Sequence, residues 1–94
     1  MIVRILGEGQ RRVDDAHADL LNGLDSGLER AVEAGDEAAF QSALTDLLAQ
    51  VRTLGEPVPD DELVESDALL PSDDATLEEV REMLTDTAGG LIPG

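Results

Sequence analysis

Lysine and cysteine are both missing from this 94-residue chain, as are tryptophan and tyrosine, and no apolar run exceeds three residues. Without cysteine there is no disulfide, no thiolate metal ligand and no thiol nucleophile. Six arginines are the whole cationic complement against 22 aspartates and glutamates, which sets the formal charge at −16. Nucleic-acid affinity comes from clustered cations that release counterions, so a free-standing nucleic-acid binder is excluded. Adsorption to anionic lipid fails for the same reason, leaving membrane contact indirect only. A membrane span needs about 20 predominantly apolar residues, far beyond these short runs. The opening residues lack the basic-then-apolar order of a secretory leader, and the expectation is a soluble cytoplasmic protein. Arginine without lysine fits either a GC-rich genome or adaptation to salt, and composition does not choose between them.

What is present has a folded pattern. Apolar residues make up 41% of the chain and are almost all Leu, Val, Ile and Ala in periodic arrays, with Phe40 the single aromatic. That periodicity argues against the disorder that high charge alone would suggest. Ninety-four residues allow one small domain, residues 1–94, with a modest core.

Met1-Ile-Val-Arg-Ile-Leu6 is rich in β-branched residues and leads through Gly7-Glu-Gly9 to Gln10-Arg-Arg-Val13, which reads as a β-hairpin. Met1, Val3 and Ile5 share one face, Ile2, Arg4 and Leu6 the other; both are largely apolar, predicting a strand that is central or covered on both sides. The period then changes. Val13, Ala16, Leu20, Leu24, Leu28 and Ala31, widened by Leu21 and Val32, mark a helix from about Asp15 to Ala34 with Asp14 or Asp15 as its N-cap. Gly35 suits a left-handed C-terminal position, and Asp36 caps a second helix carrying Phe40, Ala43, Leu44, Leu47, Leu48, Val51 and Leu54, closed by Gly55. A connection this short folds the two helices into an antiparallel hairpin.

Prolines at 57, 59 and 71 forbid a continuous helix through the Pro/Asp-rich stretch from Glu56 to Ala75, in which Ala68 to Leu70 reads as a short edge strand. Thr76-Leu-Glu-Glu79 is a capping box for a third helix with Leu77, Val80, Met83 and Leu84 inward, ending near Asp86. Gly89-Gly90 releases the apolar tail Leu91-Ile-Pro-Gly94, expected to pack on the core. The fold class is α+β: an N-terminal β-hairpin, an antiparallel two-helix hairpin, a Pro/Asp-rich crossover with a short strand, and a C-terminal capped helix. A lone hairpin is marginal and needs cover from the helices or from strands of another copy, so a homodimer remains open.

Motifs for chemistry are sparse. Gly7-Glu8-Gly9 follows a strand as a dinucleotide loop does, but Arg12 stands at the third glycine, no βαβ unit follows, and Glu8 would repel a phosphate; a turn is the better reading. His17 has no second histidine or cysteine to complete a zinc site and reads as a boundary-packing residue. Asp60-Asp61-Glu62 and Asp73-Asp74 lack the alternating ligands, central glycine and distal glutamate of a calcium loop. The serines have no histidine base at motif spacing. No catalytic, cofactor or metal residue is assigned, and a non-enzymatic protein is expected.

One constellation says more. Asp25, Glu29 and Glu33 stand at successive i+4 positions of the first helix, a like-charge ladder costing a few tenths of a kcal/mol per pair. A solvated face is the plain explanation. The sharper one is an acidic surface that meets a basic partner, with Asp60, Asp61 and Glu62 contributing.

The order of these features resembles the PspA-associated protein family, PspAA. The matching pieces are Met1-Ile-Val-Arg-Ile5 with Gly7-Glu-Gly-Gln10 and Val13-Asp-Asp15, Ala34-Gly-Asp-Glu37, Pro57-Val-Pro-Asp-Asp-Glu-Leu63, Asp74-Ala-Thr-Leu-Glu-Glu-Val-Arg81 and Gly90-Leu-Ile-Pro-Gly94. The resemblance spans essentially the whole chain. It implies a small cytoplasmic accessory of the phage-shock, or envelope-stress, response, acting beside PspA-type helical coiled-coil proteins that assemble on stressed membranes, with no catalytic motif. The expected function is therefore binding of a PspA-like coiled coil. From a different class, an acidic mimic of DNA that inhibits a basic nucleic-acid-binding protein is the alternative.

Overall fold

The computed structural model describes residues 1–62, 64–87 and 91. Strand β1 (Ile2–Ile5) turns through Gly7 into β2 (Gly9–Arg12), with Ile2 opposite Arg12 and Ile5 opposite Gly9. Asp14 accepts the Ala16 amide at 2.9 Å and caps a 3-10 turn, Asp15–His17, that leads into α1 (Ala18–Ala34). The expected start near Asp15 is thus a tighter turn, and the α-helix begins three residues later.

Gly35 adopts φ 68° and its amide closes on Ala31 and Val32, a left-handed end that favours glycine. Asp36 accepts the Ala39 amide at 3.1 Å and starts α2 (Glu37–Leu54). Gly55 closes α2 differently from Gly35. Its backbone is extended, and glycine is required there by crowding: a Cβ would lie 2.7 Å from the Val51 carbonyl oxygen and 2.9 Å from the Arg11 Cβ.

Two further strands complete the sheet. β3 (Glu56–Pro57), which the pattern did not announce, pairs antiparallel with β2, and β4 (Ala68–Leu70) pairs parallel with β1 at the expected position. The order among the described residues is β3-β2-β1-β4. The edges are short, and prolines at 57 and 71 discourage further strand pairing. α3 (Leu77–Thr87) follows, with Thr76 Oγ1 accepting the Glu79 amide at 3.2 Å, which is the hydroxyl half of the expected capping box.

The core lies between one face of the sheet and the helices. Val3, Ile5, Ala68 and Leu70 meet Leu21, Leu28 and Val32 of α1, Phe40, Leu44, Leu47, Leu48 and Val51 of α2, Leu77 and Val80 of α3, and Leu91. Leu91 therefore packs inward as expected of the tail; Ile92 to Gly94 and the Gly89-Gly90 release lie outside the described residues. Leu20, expected on the α1 stripe, is 49% exposed because the buried face turns on Leu21 and Asp25 instead.

The crossover runs across the opposite face of the sheet. Gln10 donates to the Val64 carbonyl (3.0 Å) and to Ser66 (2.8 Å), Arg12 pairs with Glu62 (3.1 Å), and Asp67 exchanges bonds with the Ile2 backbone (2.7 Å each). Outer-face cover is partial. β1 is central, between β2 and β4, which meets the first of the two expectations for it, while Arg4, Leu6 and Leu69 remain exposed on its outer face.

Candidate partner-binding surface

The six carboxylates singled out in the sequence do not form one surface. Asp25 is 3% exposed, the one buried charged residue among those described, and its Oδ2 accepts the Leu91 amide at 2.9 Å. It is an internal anchor and not a surface ligand. The reason is helical phase: Asp25 follows Leu21 and precedes Leu28 on the inward stripe, so the i+4 ladder that places it in line with Glu29 also rotates it toward the core.

Glu29 and Glu33 stay on the outer side of α1, half-buried and exposed respectively. Neither enters an ion pair among the described residues, and Asp19, Glu37 and Asp46 add exposed carboxylates along α1 and α2. Asp60 and Asp61 are exposed in the crossover, and Glu62 is held by Arg12. Because the helices cover one face of the sheet and the crossover the other, the helical pair Glu29 and Glu33 and the loop trio Asp60, Asp61 and Glu62 lie on opposite layers. Sequence distance hid this, since the crossover's course is set by long-range bonds to Gln10, Arg12 and Ile2.

Arginines serve mainly as internal ties. Arg52 on α2 makes a two-pronged contact with Glu8 at the hairpin turn, Nε to Oε1 at 2.9 Å and Nη2 to Oε2, and approaches Asp73 at 3.7 Å. The Arg52 hydrogen bonds hold the Glu8 carboxyl below its ordinary value and push the Arg52 guanidinium up. Arg11 donates to the Arg52 and Gly55 carbonyls at 3.3 and 3.4 Å, and Arg81 to the Val32 carbonyl at 3.0 Å, each placing a cation at a helix C-terminus. No sequence motif marked these contacts. With most cations turned to such ties, the exposed carboxylates keep their field.

A groove of about 270 Å³ is lined by Arg12, Asp14, Leu54 and Glu56, but Arg12 is engaged by Glu62 and Asp14 caps the 3-10 turn. His17 is half-buried at the end of that turn. No helix of the described residues is long and apolar enough to cross a membrane.

A small α+β protein with an acidic helical layer and a buried Asp25–Leu91 bond is the class these features define. The family described as PspA-Associated protein, PspAA, matches residues 1–94, the whole length. The chain belongs to the PspA-associated protein family. No curated protein and no solved structure matches it.

Proposed function

We propose that the protein is a non-enzymatic accessory that binds a PspA-like coiled-coil protein and couples it to envelope stress in the cytoplasm. The observation that carries the reading is the family match over residues 1–94, whose name is association with PspA. Physical support comes from the surface. A charge of −16, with Glu29 and Glu33 on the outer side of α1 and in no ion pair among the described residues, presents a potential that attracts basic residues and sets the orientation of encounter. Asp60 and Asp61 on the other layer form a second acidic contact, suited to a neighbouring helix of an assembled partner. Asp25 has no place in this surface, being occupied by the Leu91 amide. Membrane contact is indirect, through the partner.

The test is co-purification of the tagged protein from cells under envelope stress, with identification of what is captured. A PspA-type protein retained in the presence of competing duplex DNA is the expected result. Capture of a basic nucleic-acid-binding protein that the duplex displaces supports the DNA-mimic reading instead and overturns this one.

A further inference from the structure

The outer face of the sheet carries a second surface of opposite character. Residues pointing away from the helical layer are Ile2, Arg4 and Leu6 of β1 and its extension, Gln10 and Arg12 of β2, and Leu69 of β4, as strand alternation requires. The crossover occupies the β2 side through Gln10 and Arg12, and Asp67 closes over the Ile2 backbone. What is left open is compact: Arg4 lies directly opposite Leu69 in the parallel register, with Leu6 two residues further along the same face. Leu6 is 42% and Leu69 40% exposed, two of the three large apolar side chains standing so far out among the described residues.

Arg4 decides what fits there. In a chain with 22 carboxylates it makes no hydrogen bond or ion pair among the described residues, while Arg11, Arg12, Arg52 and Arg81 are all engaged. Arg30 is the other unengaged arginine, and it stands next to Glu29 on α1, inside the acidic field. Arg4 stands instead between two leucines. A basic partner would be repelled by Arg4, and a purely apolar one would bury it unpaired, which is costly. A second copy stacked face to face would set Arg4 against Arg4.

We propose that Arg4, Leu6 and Leu69 form a docking surface for an amphipathic protein segment that presents carboxylates beside apolar side chains. The leucines supply the apolar contact and Arg4 fixes the register by pairing with a carboxylate. The molecule is then two-sided, taking basic residues on its helical layer and an acidic, apolar segment on its sheet.

The probe is a 20-residue amphipathic helix of leucines flanked by glutamates, titrated into the isotopically labelled full-length protein at physiological salt, where long-range repulsion is screened beyond about 8 Å. Amide shifts should centre on Arg4, Leu6 and Leu69 and weaken at least tenfold in Arg4→Glu. Leu69→Ser, exposed and expected to keep the native spectrum, should weaken them severalfold. Absence of shifts at these residues, equal shifts there with the same peptide carrying lysines for glutamates, binding of this face to anionic vesicles, or a dimer that Arg4→Glu dissolves each overturns the proposal. None of these outcomes bears on Glu29 and Glu33, so the acidic-surface reading stands or falls separately.

Discussion

The Asp25 carboxylate on α1 holds the backbone amide of Leu91 at 2.9 Å, across 66 residues of sequence, with both groups buried. A buried polar group is tolerated where it is hydrogen-bonded, and this bond ties Leu91 to the helical layer. Asp25→Ala leaves the Leu91 amide without that acceptor, so urea unfolding should show a loss of about 1–3 kcal/mol. Asp25→Asn, which still offers an oxygen, should lose less. Equal stability of wild type and the alanine variant would dismiss the anchor.

Glycines on the helices make opposite predictions. Gly55→Ala forces a Cβ within 2.7 Å of the Val51 oxygen and should destabilise by about 1–3 kcal/mol, as overpacking does. At Gly23 and Gly27 a Cβ meets nothing within 4 Å. Alanine there should raise stability by about 1 kcal/mol each, the difference in helix propensity. Thermal melts of the three single variants decide it, and a stabilised Gly55→Ala would show the crowding to be harmless.

Acid should loosen the hairpin turn from α2. Because Arg52 depresses the Glu8 carboxyl in the folded state, their pairing contributes above the ordinary value of 4.5 and is lost as pH falls through the lower folded value. Both side chains are about one-third exposed, so the contribution is only about 0.2–1 kcal/mol. The stability gap between wild type and Glu8→Gln should be constant near neutrality and shrink below pH 4.5. A gap that widens in acid contradicts the sign.

Salt is a further lever on stability. Self-repulsion at −16 is strongest when unscreened, so the melting temperature should climb from low to moderate ionic strength. A flat or falling curve would mean that the carboxylates are compensated within the fold.

Most of the architecture was readable from local signals, since Asp36, Gly35 and Thr76 each mark a helix end through chemistry confined to a few residues. Periodicity likewise located Phe40, Leu44, Leu47 and Val51 in the core. Long-range geometry was not readable. β3 is two residues long and includes Pro57, leaving no alternation to detect, and the path of the crossover depends on Gln10 and Arg12 reaching Ser66 and Glu62. The surface suffered most. An i+4 ladder spans only a few turns of helix before its drift matters, and the Asp25 end of it faces inward while Glu33 faces out. The alternation of Ile2, Arg4 and Leu6 was visible, but its exposure depends on where the crossover stops.

Calorimetric titration of the protein into a purified PspA-type partner, at two salt concentrations, measures the acidic-surface recognition itself. Saturable binding is expected, weakening with salt and falling severalfold when Glu29 and Glu33 are both changed to glutamine, with the fold unaltered. Binding indifferent to that double substitution and to salt, or no binding at all, would contradict it.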